Sequence, residues 1–189
     1  MTGLPQSCAL ILIDLQKAID HPSWGERNNP GAEENVGRLL AHWRSTGRPV
    51  IHVRHLSRFP TSTYRDGQPG VEFKDVALPA EGEPVFTKHV GNAFIGTALE
   101  SWLRDRHIAD LVIAGVITNN SVEATARMAG DLGFRTVVVS DATFTFGRKD
   151  FQGRHRTAEE VHAMSLANLE GEYASVRSTG EVLSGAREA

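Results

Sequence analysis

Short apolar runs recur along the chain, and stretches with helical spacing separate most of them. Six segments have this character: ALILID (9–14), PVIHVR (49–54), EPVFTKH (83–89), LVIAGV (111–116), TVVVSD (136–141) and YASVRST (173–179). Such runs are typical of strands that are covered on both faces. Because strands that alternate with helices form parallel sheets with right-handed crossovers, we predict an α/β fold with a mostly parallel central sheet. We expect one domain, residues 1–189.

The intervals between these strands predict helices. Residues Glu33 to Thr46 place apolar side chains at helical spacing, and Gly47 is a natural stop. A later helix begins near Thr157, and three of its residues are expected to face inward: Val161, Met164 and Leu169.

Helix starts are indicated by capping chemistry. Four positions carry it: Thr97 with Glu100, Asn120 with Glu123, Thr157 with Glu160, and Thr179. The stretch from Leu56 to Glu83 has little periodicity and is rich in Pro, Gly and Ser. Loops of that length are uncommon in compact domains unless they cover something.

Composition excludes several classes of protein. Of the 189 residues, 40% are hydrophobic and 23% are charged, which is ordinary for a globular domain. The net charge of -3, with Lys and Arg scattered, predicts no nucleic-acid partner, and no apolar stretch is long enough to span a membrane. A single cysteine, Cys8, and an N-terminus without a basic segment favour the cytoplasm.

Three reactive side chains follow the ends of predicted strands. Asp14 ends the first strand, Lys88 ends the third, and Ser121 lies where the fourth gives way to a helix. Each has an ordinary alternative, since Asp and Ser favour turns and caps and a terminal lysine is usually solvated. Ligands of parallel sheets bind beyond the carboxyl ends of the strands, however, so the three are expected to meet at one rim.

The motifs that contain these residues resemble one known family. ALILIDLQ, TKHVGNAFIGTALESWL and LVIAGVITNNSVEATARMAGDLGFRTVVVSDAT are similar, in that order, to the isochorismatase-like (cysteine hydrolase) family. The resemblance extends from Ala9 to about Tyr173. It implies a three-layer α/β/α Rossmann-like fold, hydrolysis of a small-molecule substrate, and a homo-oligomer, either a dimer or a tetramer.

The resemblance also implies site roles. Asp14 and Lys88 match the family's catalytic Asp and Lys, and Ser121 stands where the family has its nucleophilic Cys. The backbone amides of Ile117 and Ser121 would stabilise an oxyanion, next to a non-proline cis peptide at Val116–Ile117.

Three functions stay open at this point. Ser121 could attack an amide or carbamoyl C–N bond with Asp14 as base, because a serine hydroxyl needs a base to remove its proton. Alternatively, Asp14 could protonate a vinyl ether that water then attacks, with Ser121 only orienting substrate or water. The third alternative is a homologue that has lost catalysis and keeps the pocket for binding or assembly.

Further pocket residues are expected near these three. The candidates for substrate binding are Gln16, His55, Asn92, Phe94, Asn119, Asn120 and Phe146. Each Phe could instead pack in the core. His52 and His55 would face opposite sides of a strand and lack an accompanying Asp, so we predict neither a metal nor another cofactor.

Overall fold

The computed structural model describes residues 4–185. The strands are β1 (Ala9–Ile13), β2 (Val50–His55), β3 (Val85–Lys88), β4 (Asp110–Val116), β5 (Arg135–Phe144), β6 (Arg148–Lys149), β7 (His155–Arg156) and β8 (Ser175–Arg177). The α-helices are α1 (Ala32–Ser45), α2 (Leu99–Asp105), α3 (Glu123–Asp131), α4 (Ala158–Ala167) and α5 (Thr179–Ser184). Within this part of the chain, every helix is too short or too polar to cross a membrane.

Six strands form one sheet in the order β3-β2-β1-β4-β5-β8, and every neighbouring pair is parallel. The strands β6 and β7 form a separate antiparallel pair. All five residues of β1 are buried, as expected of a central strand with layers on both sides.

Side chains of β1 alternate between two hydrophobic cores. Leu10 and Leu12 point to the core that contains Trp43 of α1, whereas Ile11 and Ile13 point to the core that contains helices α2 and α3. The sheet therefore lies between two helical layers, and the predicted α/β fold with a parallel central sheet is confirmed.

Helix α1 has the expected amphipathic pattern. Its buried residues are Val36, Leu39, Leu40 and Trp43, together with Ala32 at its start. The indole of Trp43 donates a hydrogen bond to the carbonyl of Cys8 at 2.9 Å, which fixes the helix on β1. Burial raises the pKa of the Cys8 thiol to about 12.

Helix caps were predicted with mixed success. The capping box of Thr157 and Glu160 is present. Ser178, not Thr179, caps α5 through a box with Glu181. The box at Thr97 is wrong, because α2 begins after Ala98 without a side-chain cap.

The predicted cap at Asn120 is wrong as well. Asn120 lies inside a single π-helical turn, Thr118–Val122, which joins β4 to α3. Val122 is the residue that precedes α3, and it provides no side-chain hydrogen bond.

Helix α4 buries a different face from the one that its hydrophobic spacing predicts. Met164 was expected inside, but 64% of its surface is exposed, and Val161 is only partly buried. His162 and Ser165 occupy the buried face instead. Leu169, just beyond the helix, is fully buried as expected.

Gly115 of β4 lies at a bulge in the pairing with β5, and its other neighbour, β1, leaves no room for a side chain. The pairing of β4 with β5 shifts register between Ile113 and Gly115. Gly115 has φ +119°, and a Cβ atom there would lie 2.2 Å from the carbonyl oxygen of Ile13. Only glycine fits this position, because it has the required φ and no side chain.

Candidate active site

Asp14, Lys88 and Ser121 meet at the carboxyl end of the sheet. Asp14 follows β1, Lys88 is the last residue of β3, and Ser121 lies in the turn after β4. The Lys88 ammonium donates hydrogen bonds to Asp14 Oδ2 at 2.7 Å and to Ser121 Oγ at 3.2 Å. All three are buried, with Lys88 fully enclosed. The structure thus brings together the three residues that strand order suggested.

Asp14 is held in a left-handed backbone conformation, with φ 51°. This region is uncommon for residues other than glycine, although Asp tolerates it better than most. The backbone amide donates to Val53 O at 3.0 Å, and the Tyr64 hydroxyl donates to the Asp14 carbonyl, also at 3.0 Å. These contacts aim the side chain at Lys88.

One oxygen of the Asp14 carboxylate lacks a protein partner. Oδ1 is buried and has no hydrogen-bond partner at normal distance among residues 4–185. Burial raises the pKa of Asp14 above its ordinary value, whereas the charge of Lys88 and hydrogen bonding from Lys88 and the nearby Ser121 hydroxyl oppose that rise. Asp14 is therefore a carboxyl group with a free oxygen and an increased affinity for protons.

The Lys88 ammonium has two further neighbours. It donates to the carbonyl of Val90 at 3.1 Å and lies 3.4 Å from Nδ1 of His55. Burial, assisted by the charges of Lys88 and His89, lowers the pKa of His55 to about 4. At neutral pH His55 is therefore uncharged and does not repel the Lys88 ammonium, whose three hydrogens are donated to Asp14, Ser121 and Val90.

Ser121 belongs to the π-helical turn, a rare form of helix that is frequently found at functional sites. The carbonyl of Ile117 accepts hydrogen bonds from the amides of Asn120 and Val122, which closes the turn. The peptide bond between Val116 and Ile117 is cis. Ser121 thus lies at the N-terminal end of α3, where the helix dipole favours negative charge.

A cavity of about 290 Å³ opens above these residues. Its apolar and aromatic wall consists of Ile19, Trp24, Phe59, Tyr64, Val90, Val116 and Ile117. Its other side chains, besides Asp14 and Ser121, belong to His55, Ser57, Ser62, His89 and Asn120. Apolar walls with a few polar groups are typical of small-molecule sites.

Gln16 and Asn92, two predicted substrate contacts, do not line this cavity. The Gln16 side chain is fully buried and hydrogen-bonds both backbone groups of His55 as well as the carbonyl of Val71. Asn92 donates to the carbonyl of Ala124 at 3.1 Å. Both side chains therefore hydrogen-bond to backbone groups around the rim and lie outside this cavity.

Three other predicted contacts also lie outside the cavity. Phe94 packs on Phe134 in the core, with ring centroids 5.9 Å apart. The side chain of Asn119 accepts a hydrogen bond from a threonine hydroxyl just beyond β5. Phe146 stacks behind the cavity residue Trp24 at 5.4 Å. Of the seven candidates, His55 and Asn120 do line the cavity.

Several cavity residues were missed by the sequence interpretation. Phe59 and Tyr64 come from the long loop after β2, and Trp24 comes from a short 3-10 helix after β1. For Phe59 and Tyr64, the length of the loop was the only indication in the sequence that this segment covers a site. Phe59 is 76% exposed and lies at the cavity mouth.

The two histidines of β2 have different surroundings. His52 is fully buried and contacts the Glu83 carboxylate at 2.8 Å, whereas His55 faces the cavity. Among residues 4–185, no group of three or more His, Cys, Asp or Glu side chains is placed to hold a metal ion.

Comparison with known proteins identifies the family. The model of the Isochorismatase domain matches residues 8–181. The chain belongs to the isochorismatase family. Its match covers both the sheet and the rim that carries Asp14, Lys88 and Ser121.

Relatives within the isochorismatase family match almost end to end. The uncharacterised isochorismatase-family protein YrdC of Bacillus subtilis is 41% identical over 175 residues, covering 93% of this chain and 94% of YrdC. A crystal structure of an isochorismatase-family protein from Chromobacterium violaceum superposes with a TM-score of 0.93 at 51% identity, covering 98% and 97% of the two chains. Maleamate amidohydrolase of Pseudomonas putida is 27% identical, covering 92% and 84%. The protein is thus an isochorismatase-family hydrolase.

Proposed function

We propose that the protein hydrolyses the C–N bond of a small amide or carbamoyl compound, with Asp14, Lys88 and Ser121 as its catalytic residues. The observation that carries the proposal is the buried Asp14 Oδ1, which has no hydrogen-bond partner within residues 4–185 and borders the same cavity as the Ser121 hydroxyl. An unpaired buried acceptor is costly unless a ligand or a reacting group uses it.

In the first step the Ser121 oxygen attacks the substrate carbonyl carbon. Because Oγ already accepts a hydrogen bond from Lys88, its own hydrogen is available to Asp14. Asp14 takes that proton as the C–O bond forms, and its raised pKa makes it a stronger base than an ordinary carboxylate. The carbonyl oxygen becomes an oxyanion.

The amides of Ile117 and Ser121 are assigned to that oxyanion. Both residues line the cavity, and the N-terminal end of α3 favours negative charge there. Lys88 keeps the Asp14 carboxylate in place and contributes a fixed positive charge.

The remaining steps return the enzyme to its starting state. Asp14 gives its proton to the leaving nitrogen as the C–N bond breaks, which leaves an ester on Ser121. Asp14 then removes a proton from water, the hydroxide attacks the ester, and the proton returns to Ser121 as the acid product leaves.

Vinyl-ether hydrolysis is a second candidate, and the raised pKa of Asp14 favours it. A protonated Asp14 would donate to the substrate, water would attack the resulting cation, and Ser121 would only orient the reactants. The name of maleamate amidohydrolase supports the C–N reaction instead. His55 and Asn120 are proposed to orient either substrate.

The test is a screen of small amides, carbamoyl compounds and vinyl ethers, followed by substitution. We expect Asp14→Asn to reduce kcat by at least about a thousandfold, because it removes the base. Asp131→Asn, at an exposed site on α3, is the matched control and keeps full activity. In the C–N reaction, activity falls with decreasing pH as Asp14 becomes protonated, at a pH above the ordinary Asp pKa.

Ser121→Ala separates the two reactions. It abolishes turnover if the serine attacks and leaves substantial turnover if water does. Full activity in Asp14→Asn contradicts both mechanisms. A wild-type protein that binds amides but turns over none of the screened compounds favours the homologue that has lost catalysis.

Other expectations from the sequence stay predictions. These are a single domain over residues 1–189, a cytoplasmic location, a homo-oligomer of two or four subunits, and hydrolysis without a cofactor.

A further inference from the structure

Two polar residues on the buried face of α4 contact the first residue of the turn that carries Ser121. His162 Nδ1 lies 2.8 Å from the hydroxyl of Thr118, and the Ser165 hydroxyl lies 3.1 Å from the Thr118 carbonyl. Thr118 is fully buried, and the other two are nearly so. Neither α4 residue lines the cavity or touches Asp14, Lys88 or Ser121.

The surroundings of the second ring nitrogen of His162, Nε2, indicate which group donates the hydrogen bond between Nδ1 and Thr118. The Asn29 amide, 3.4 Å from Nε2, already uses its two hydrogens on the carbonyls of Ser140 and Thr143. Burial lowers the pKa of His162, and a backbone hydrogen bond to Ser140 opposes that shift. A neutral ring that gives its hydrogen to the Ser140 carbonyl has Nδ1 available as an acceptor, so we assign the Thr118 hydroxyl as the donor to Nδ1.

Ser165 spans the turn from its first residue to the helix that follows it. Its hydroxyl lies 2.6 Å from the Glu123 carboxylate as well as 3.1 Å from the Thr118 carbonyl. Glu123 is the first residue of α3. The single hydroxyl hydrogen is donated to the nearer acceptor, the Glu123 carboxylate, and His162 contacts the Thr118 end. Helix α4 thus contacts both ends of the segment in which Ser121 lies.

We propose that His162 and Ser165 are positioning residues that fix Ser121 and the Ile117 amide through Thr118. This inference rests on the proposed function. Thr118 follows Ile117 directly and precedes Ser121 by three residues, so a shift of Thr118 moves the nucleophile and the oxyanion site together. Misplacement by about 1 Å costs a reaction about a hundredfold.

The orientation of α4 supports this role. The helix buries His162 and Ser165 while it leaves Met164 exposed, although apolar side chains gain most from burial. Polar groups in that position are tolerated because both have hydrogen-bond partners in the turn or in the first residue of α3.

A cysteine at position 121 gives a readout that does not require the natural substrate. In Ser121→Cys, the rate of alkylation by iodoacetamide against pH reports the pKa and the access of the new thiol. Cys8, fully buried and with its pKa raised to about 12, is the slow internal reference. Urea unfolding of each variant separates local from global effects.

Two substitutions made in the Ser121→Cys variant remove the hydrogen bond between Thr118 and His162. Each is compared with a conservative substitution at the same position. Thr118→Val removes the hydroxyl at constant shape, whereas Thr118→Ser keeps it. His162→Gln places its amide near the Nε2 position and loses the Thr118 contact, whereas His162→Asn keeps an acceptor near Nδ1. Met164→Ala, on the exposed face of the same helix, is the matched control.

We expect Thr118→Val and His162→Gln to slow alkylation at pH 7 by about tenfold and to raise the thiol pKa, because the turn shifts away from Lys88 and the helix axis. Thr118→Ser, His162→Asn and Met164→Ala keep the rate and pKa of the Ser121→Cys parent. Unchanged alkylation in both breaking variants overturns the inference.

Slow alkylation of the Ser121→Cys parent, equal to that of Cys8, contradicts the activating environment of the proposed function. Hydrogen exchange at the amides of residues 117–122 then decides the positioning role. Faster exchange in Thr118→Val than in Thr118→Ser supports it, and equal exchange overturns it.

Discussion

Two carboxylates lie near opposite ends of β3, and they differ in the number of hydrogen bonds that their oxygens accept. Glu83, before β3, accepts hydrogen bonds on both oxygens, from Arg44, His52 and the amide of Ala80. Asp14, beside the other end of β3, pairs one oxygen with Lys88 and leaves the other without a partner among the described residues.

The two pKa values respond in opposite directions. Burial opposes ionisation of Glu83, but the hydrogen bonds from Arg44, Ala80 and His52 outweigh it and lower the pKa to about 2. At Asp14 burial outweighs the attraction of Lys88, and the pKa rises. A saturated carboxylate is a structural anchor, whereas a half-satisfied one retains the capacity to move a proton.

Lys88→Met gives the largest expected effect. It leaves Asp14 buried without its counter-charge, which is expected to reduce the free energy of unfolding by about 3–5 kcal/mol at pH 7 and to abolish activity. The pKa of Asp14 then rises further, so the loss is greater at pH 7 than at pH 4, where the folded protein holds the proton. Urea unfolding at the two pH values measures it.

Two variants qualify the Lys88→Met result. Lys149→Met, at an exposed site in the β6–β7 hairpin, keeps wild-type stability. Asp14→Asn combined with Lys88→Met removes the unpaired charge and is expected to recover most of the lost stability. A double variant as unstable as Lys88→Met alone contradicts the electrostatic explanation.

Glu83→Gln tests the saturated carboxylate. Because the folded pKa lies below the unfolded value, wild-type stability from this group is complete above about pH 4.3 and falls as the pH approaches 2. The variant loses about 1–3 kcal/mol at pH 7 and shows less decline between pH 5 and pH 3. Thermal unfolding against pH is the measurement, with exposed Glu81→Gln as control. An unchanged acid decline means that other groups cause it.

Arg44→Met is expected to have the smallest effect. Its guanidinium contacts both Glu83 oxygens at 2.8 Å but is 37% exposed, so solvent screens the interaction. We expect a loss of about 1 kcal/mol or less in urea unfolding. Arg38→Met, exposed on the same helix, loses less still. An Arg44→Met loss as large as that of Glu83→Gln contradicts the screening of this interaction by solvent.

The rim was accessible to sequence reasoning because it follows from strand direction. Asp14 and the turn with Ser121 follow the adjacent strands β1 and β4, and Lys88 ends β3, which is separated from β1 by β2. Because all of these strands are parallel, the fold class alone places the three residues at the same edge of the sheet. The residues of the cavity wall could not be predicted from strand direction. Trp24 and Tyr64 come from irregular segments, in which no periodicity indicates which side chain faces inward.

Helix α4 was misread for a different reason. Hydrophobic spacing favoured burial of Val161 and Met164, but hydrogen bonds to Thr118 and Glu123 turn His162 and Ser165 inward. Such pairing depends on residues more than thirty positions away in the chain, and one sequence does not disclose it. The same limit explains why the sequence did not indicate that Phe94 packs on Phe134 and that Asn92 bonds to the Ala124 carbonyl.

The glycine at position 115 has a consequence beyond strand pairing. Asp14 directly follows Ile13 of β1, and the turn that carries Ser121 follows β4, which contains Gly115. The backbones of the two strands leave no room for a methyl group between Gly115 and Ile13. Adding a single carbon atom there would push those backbones apart and move the Asp14 carboxyl away from the Ser121 hydroxyl. The distance between the Asp14 and Ser121 side chains therefore depends on the absence of a Cβ atom at position 115, in the strand beneath the cavity.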